Sequence, residues 1–372
     1  MVTASQLGLA DFPAGENDSI TDVDGVQVGH ATLIDGEGAL RVGEGPVRTG
    51  VTIVSPRADD PFEHPLFASY HRLNGNGELT GASWMQESGL LTSPIALTNT
   101  HSVGAVRDAL IRNTARRTGE RGERWHLPVV AETWDGVLND IMGQHVTADH
   151  VDQALTSLSS GPVTVGNVGG GTGMICHGFK GGIGSSSRVA RLGGSEHTVG
   201  VLVQANHGRR HRLRFGSLAL GALIGPDVVP EPPGPENAGA GSVIVIVATD
   251  APLLPHQLNR LAQRAGLGIA RAGGTGEHTS GDIFVAFSTA NGDIPPDYLG
   301  ARSRPYSVEV LHNSEITLLF DAVIEATEAA VLSALLGAET MSGAEGRTAH
   351  ALTHDLIESA LARRETPGKA HP

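Results

Sequence analysis

Residues 235–252 read PENAGAGSVIVIVATDAP and join two opposite kinds of chain. From Pro230 to Gly241 the prolines, mixed with Gly, Asn and Glu, signal turns and flexibility. From Val243 to Ala248 six β-forming or apolar residues follow without a break. A continuous run of this length suits a strand covered on both faces, the interior of a layered fold. Ser242 stands alone at the junction, a polar side chain at the start of a buried strand.

Similar runs recur along the chain: GVTIVSP near Val51, SPIALTNT near Ile95, HTVGVLVQAN near Val201 and DIFVAFST near Phe284. Helical spacing alternates with them. SVGAVRDALIRNTARR starts at Ser102, and LLPHQLNRLAQRAG starts at Leu253 with a glycine stop expected at Gly266. SEITLLFDAVIEATEAAVLSALLG predicts a long helix, with Ser314 as its N-cap and Gly337 as its C-cap. LTHDLIESALARR predicts a short last one. The mixture reads as α/β or α+β layers. Taken alone, 225–241 reads as an exposed linker between domains.

At 372 residues the chain holds one large domain or two ordinary ones. Forty acids against 26 bases give a net charge of −14, which as a whole repels nucleic acid and anionic lipid. HGRRHRLR, 207–214, is the dense basic run, and it reads as a solvated loop or a subunit contact. Cys176 is the sole cysteine and forms no intrachain disulfide. The N-terminus lacks the basic and apolar regions of a signal peptide, and no apolar run nears the roughly 20 residues of a membrane helix. A cytoplasmic protein is expected, with neither nucleic acid nor membrane as partner.

Several motifs fail on inspection. The glycine-rich tract GNVGGGTGMICHGFKGGIGSSSR, 166–188, carries neither a dinucleotide fingerprint nor a P-loop at the required spacing. Its glycines serve either to present N–H groups to a ligand or to let strands approach closely. His207 and His211 stand four apart without H-E-x-x-H, and Cys176 with His177 has no second pair, so no metal is expected. The G-x-S-x-G elbow of lipase-type hydrolases occurs at no serine.

Gly241–Ser242 supports a different chemistry. A serine hydroxyl is a weak nucleophile without a base. Cleaving the chain before Ser242 would set a new α-amine beside that hydroxyl, and an α-amine with a pKa of about 7.7–8.0 suits a general base. The hydroxyl can make the cut itself by attacking the preceding carbonyl through an ester. Glycine there minimises hindrance. A flexible linker lets the new end move clear, and a strand holds the nucleophile rigidly.

The glycine tract, VLVQANHG, GAGSVIVIVATDAPLLPHQL and SGDIFVAFSTAN together resemble the self-processing serine aminopeptidases, the L-aminopeptidase/D-Ala-esterase/amidase and β-peptidyl aminopeptidase group. ITDVDGVQVGHATL, GNGELTG and NTHSVG are similar too, so the resemblance runs from about Ile20 to the helix after Ser314. It implies an α+β, four-layer αββα sandwich like that of N-terminal-nucleophile hydrolases, with different connectivity. It also implies one domain cut into an α chain, 1–241, and a β chain, 242–372, with 225–241 as the flexible linker. The αβ units would assemble into a homo-oligomer, and no cofactor is implied.

The same resemblance assigns roles. Ser242 is the nucleophile. Ser280 and Asp282 in HTSGDI would hydrogen-bond its amine and hydroxyl; read without it, they form a turn before a strand. Asn206 would stabilise the oxyanion. Glu132 in VVAETWDG would receive the free amino group of a peptide, amide or ester substrate. Trp134 departs from the pattern, because many relatives carry a tyrosine there; it either removes a useful hydroxyl or walls the pocket. Two other readings stand beside the aminopeptidase: an acyltransferase like ornithine acetyltransferase, whose nucleophile is threonine, and an uncleaved scaffold.

Overall fold

The computed structural model describes residues 7, 11–118, 125–233, 241–296 and 305–365, so 234–240 of the expected linker lie outside the described residues. A four-stranded sheet takes β1 (Gln27–Asp35), β2 (Val47–Ser55), β5 (Ile95–Asn99) and β6 (Val129–Thr133), in that order. A six-stranded sheet takes β4 (Leu90–Leu91), β3 (Leu66–Gly75), β12 (Gly281–Ser288), β11 (Gly241–Thr249), β10 (Ser195–His207) and β9 (Gly182–Leu192). A small hairpin, β7 (Ile175–Cys176) and β8 (Phe179–Lys180), stands apart from both. The helices are α1 (Ala82–Ser88), α2 (Val103–Thr118), α3 (Ala148–Thr156), α4 (Leu220–Leu223), α5 (Pro255–Arg271), α6 (Thr317–Leu336) and α7 (His354–Glu365).

The strand of the opening motif shows why the layers form. Ile244 and Ile246 of β11 join Leu202 and Ile283 against Val54, Leu97 and Val129 of the other sheet. Val243, Val245 and Val247, pointing the other way, pack on Leu258 and Leu261 of α5 and Val323 of α6. Each fully buried side chain of this kind contributes about 1.5–3 kcal/mol. On the far side, Val106, Leu110 and Val151 of α2 and α3 cover Ala31, Val51 and Ile53. The result is the αββα sandwich. Both parallel pairs, β5 with β6 and β11 with β12, are bridged by a helix, α2 and α5 respectively.

Three expectations need correction. α5 does not stop at Gly266 but runs to Arg271. A Cβ on Gly268 would stand 2.5 Å from Thr327 Cβ and 2.6 Å from Ile324 O, so that glycine admits α6 rather than ending the helix. α6 starts at Thr317, and Ser314 is not its cap; its hydroxyl pairs instead with His312 Nδ1 at 2.8 Å. Gly337 closes α6 as expected. The basic run is not wholly a solvated loop. Arg210 is buried, its guanidinium 3.4 Å over the Phe179 ring and donating to the carbonyls of His177, Gly178, Ile224 and Val229. Arg209 and Arg212 are exposed and pair with Glu277.

Close approach accounts for much of the glycine tract, while Gly173, Ile175 and Gly178 line a cavity. Gly169 and Gly170 donate their N–H groups to Thr32 Oγ1 and Thr52 Oγ1, and a Cβ on Gly170 would fall 2.2 Å from Gln204 Oε1. The tract's end, GIGSSSR, is the start of β9, which no apolar alternation announced. Its serines are buried by mutual service: Ser185 Oγ donates to Val201 O and Ser187 Oγ donates to Asp22 Oδ2.

Candidate active site

The site gathers where β11 and β12 begin and β10 ends. Antiparallel pairing sets Asn206 opposite Ser242 and His207 opposite Gly241, and parallel pairing sets Val243 beside Asp282. Ser242 is buried, and its side chain shares a face with Ile244 and Ile246, between the sheets. Its Oγ accepts the Gly281 N–H at 3.0 Å. Gly241 has φ +74°, and a Cβ there would stand 1.7 Å from Asn206 O and 3.3 Å from Asn206 Nδ2. The Asn206 amide therefore lies against the residue whose carbonyl precedes Ser242. That amide is fixed at both ends: Oδ1 accepts the Ile175 N–H at 2.8 Å, and Nδ2 donates to Trp134 O at 2.9 Å.

Ser280 and Asp282 are buried beside the junction, and Ser280 Oγ donates to Asp282 Oδ1 at 2.6 Å. Asn74 Nδ2 donates to Asp282 Oδ2 at 3.0 Å. Burial pushes the Asp282 carboxyl above its usual range, while the bonds from Ser280, Asn74 and the Val243 N–H pull it back. In the unbroken chain it is the Gly281 N–H between them, rather than either side chain, that holds the Ser242 hydroxyl.

Glu132 closes the other side. It is buried near the end of β6, accepting the Glu78 N–H at 3.0 Å and the Thr100 hydroxyl. A Cβ on Gly77 would be 3.2 Å from both Glu132 Oε1 and Gly281 Cα, which places the carboxylate next to the peptide that binds Ser242. Burial raises its pKa, and those two donors oppose the rise. Trp134 walls a cavity of about 220 Å³ that Ile175, Asn206, Arg209, Glu231 and Gly241 also line.

A model of the peptidase family S58 matches residues 18–349. The chain belongs to that family. A beta-peptidyl aminopeptidase, BapA from Sphingosinicella microcystinivorans, is 47% identical over 93% of this chain and 88% of its own. A beta-aminopeptidase from Burkholderia sp. superposes with a TM-score of 0.88 at 46% identity, over 99% of this chain and all of the other. The L-aminopeptidase D-Ala-esterase/amidase of Ochrobactrum anthropi, described as a prototype for the serine aminopeptidases and a new variant of the Ntn hydrolase fold, gives 0.87 at 41%, over 97% and 98%. This S58 chain is accordingly a serine hydrolase of the N-terminal-nucleophile type in an aminopeptidase family. Neither the acyltransferase nor the scaffold reading gains support from these relatives.

The structure brings together Ser242, Ser280, Asp282 and Asn206, with Glu132 and Trp134 on opposite flanks. Sequence reasoning missed Asn74, Thr100 and the Gly281 N–H. The signal for two of them was in view: Asn74 immediately precedes GNGELTG, and Thr100 lies within NTHSVG. It also missed that His207 completes a buried group with Cys176 and His177, whose ligand atoms lie within 4.8 Å of one another. Burial pushes the Cys176 thiol up to about 12 and the imidazoles of His177 and His207 well below their usual range. Among the described residues, no helix is long and apolar enough to cross a membrane.

Proposed function

We propose that this S58 chain cuts itself between Gly241 and Ser242 and then works as an aminopeptidase with Ser242 as its nucleophile. One observation supports the reading: strand pairing sets Asn206 opposite Ser242, with the Asn206 amide held at both ends and lying against Gly241. In the first reaction Ser242 Oγ attacks the Gly241 carbonyl carbon, and Asn206 Nδ2 donates to the oxyanion. Collapse breaks the C–N bond, leaves an ester on Oγ and protonates the Ser242 nitrogen. Water hydrolyses the ester, giving a Gly241 carboxylate and a free Ser242 amine.

In turnover that amine takes the proton from Oγ as the hydroxyl attacks the substrate carbonyl. The tetrahedral oxyanion faces Asn206, and collapse passes the proton to the leaving amine or alcohol. Water then releases the acid from the acyl-enzyme. Asp282, oriented by Ser280 and Asn74, holds the α-amine. Glu132 receives the substrate's own ammonium, which selects unblocked N-termini. Substrates are peptides, amides or esters of small N-terminal residues. The BapA and Burkholderia relatives favour β-amino residues among these. The mature form is a homo-oligomer of αβ units in the cytoplasm and needs no cofactor.

Intact-mass spectrometry tests this directly. The wild-type chain should split after Gly241, a Ser242→Ala chain should remain whole, and the split enzyme should hydrolyse a free β-alanyl p-nitroanilide but not its N-acetyl form. A wild-type chain that stays whole yet hydrolyses that substrate would overturn the proposal.

A further inference from the structure

Lys180 is a fully buried lysine that the mechanism leaves unused, and it sits within reach of the oxyanion donor by a continuous route. Its Nζ donates to three backbone carbonyls, Gly171 O at 3.2 Å, Met174 O at 2.8 Å and Gly181 O at 2.9 Å. Three acceptors match the three protons of an ammonium group. Burial pulls the lysine down to about 7, against the nearby Cys176 and Asp135, which act the other way.

The carbonyl of Met174 and the N–H of Ile175 belong to one peptide unit. That N–H donates to Asn206 Oδ1, and Asn206 Nδ2 faces Gly241. The chain of contacts is therefore an ammonium on a carbonyl, the same peptide's N–H on an amide oxygen, and that amide's N–H toward the reacting carbonyl. A cation on the carbonyl polarises the peptide and makes its N–H a stronger donor, which in turn strengthens the Asn206 N–H. The bond to Oδ1 also fixes which way the amide points, because the flipped amide would set N–H against N–H.

We propose that Lys180 is a positioning residue for the oxyanion donor, orienting and polarising Asn206 through the Met174–Ile175 peptide. This rests on the reading of Asn206 given above. An apolar side chain in the same space would leave those three carbonyls without this donor, so the test must separate a loss of stability from a loss carried through Asn206.

A double-mutant cycle tests it, using Lys180→Met, Asn206→Ala and the pair. The readouts are kcat and KM on a free-amino p-nitroanilide, and the first-order splitting rate of any variant that accumulates as precursor. Removing an oxyanion donor outright costs about 10²–10³ in rate, so Lys180→Met should cost roughly tenfold in kcat with KM within about threefold. In the Asn206→Ala background the same change should cost less than about twofold. A Lys180→Met enzyme with wild-type kcat, or one that loses equally in both backgrounds, overturns the proposal. If Lys180→Met does not fold, Ile175→Pro decides, since it deletes the N–H and keeps the lysine: a loss of kcat coupled to Asn206 supports the relay, and wild-type kcat overturns it. An Asn206→Ala enzyme as active as wild type would instead sink the assignment of Asn206, a failure visible without any lysine variant.

Discussion

Gly241→Ala is the sharpest test of the junction, because one methyl group meets two separate obstacles. The residue has φ +74°, a conformation that costs an L-residue about 1–2 kcal/mol. The added Cβ would also stand 1.7 Å from Asn206 O and 2.8 Å from Asn206 C, both backbone atoms in the middle of the sheet. A carbon needs about twice that separation from an oxygen, so the start of β11 must move outward by more than an ångström. That motion breaks the pairing of Gly241 with His207, at about 0.5–1.5 kcal/mol per lost hydrogen bond. It leaves the fold intact, because the rest of β11 remains paired on both sides. It also carries the Gly241 carbonyl away from Asn206 Nδ2, and misplacing reacting groups by about 1 Å can cost 10²-fold. Self-cleavage should therefore slow by roughly 100-fold or more, followed as precursor mass against time. Gly104→Ala is the control: that helical glycine has nothing within 4 Å of its Cβ position, so splitting should be unaffected. A Gly241→Ala chain that splits at the wild-type rate would refute both the close approach and the role given to the Asn206 amide.

Glu132→Gln keeps an acceptor for the Glu78 N–H but removes the charge, so the preference for free-amino over N-acetylated substrates should collapse by at least about tenfold, read as a ratio of kcat/KM values. Asn74→Ala deletes the donor to Asp282 Oδ2 and Glu277 O. Stability should fall by about 1–3 kcal/mol in denaturant titrations, the Asp282 carboxyl should rise further, and kcat should drop with KM little changed. Burial holds His177 down at about 4, its Nδ1 bonded to Arg209 O and its Nε2 without a partner among the described residues. The folded state thus binds fewer protons than the unfolded one between about pH 4 and 6.5, so stability is full above 6.5 and is lost as pH falls toward 4. His177 contributes about 3 kcal/mol to that loss. Thermal melts should show a steep decline across that window, flattened in His177→Gln; an unchanged slope in the variant would assign the acid sensitivity to the other depressed imidazoles, His207, held well below its usual range, and His30 and His126, pushed down to about 4.

How far these features could be read in advance depended on which force shaped each segment. β11 was legible because both its faces are buried, so its sequence is apolar from Val243 to Ala248 and needs no periodicity to be recognised. β9 was not, because GIGSSSR buries hydroxyls whose partners, Val201 O, Asp18 and Asp22, are distant in sequence. Gly266 resembled a helix stop because a glycine's local preference is visible, while the Phe284 ring it faces and the α6 helix that packs on Gly268 are not. Arg210 looked solvated for the same reason: its four carbonyl partners and the Phe179 ring come from elsewhere in the chain. In the site, the residue types suggested a self-cleaving serine, but the partners of Ser242 came from resemblance. Asn206 and Asp282 lie 36 residues before and 40 after it, a pairing that only strand register establishes.

That register carries the larger point about how such a site is made. The proposed oxyanion donor, Asn206, and the proposed nucleophile, Ser242, are directly opposed residues of one antiparallel ladder, and Asp282, the carboxylate proposed to orient them, belongs to the next strand in the same sheet. Forming the sheet therefore forms the constellation, and a chain that has folded already presents Gly241, Ser242 and Asn206 to one another. The proposed cleavage would then break one covalent bond while the strands that hold the groups stay in place. The amide that would stabilise the first oxyanion, on Gly241, is the same one that would stabilise every later oxyanion on a substrate. A lesion in Asn206, or in the Ile175 and Lys180 contacts behind it, should thus slow splitting and turnover by similar factors. A lesion in Glu132, proposed to meet the substrate's amine and not the oxyanion, should slow turnover alone. Comparing the two rates across those variants separates the groups that make the nucleophile work from the group that chooses what it works on.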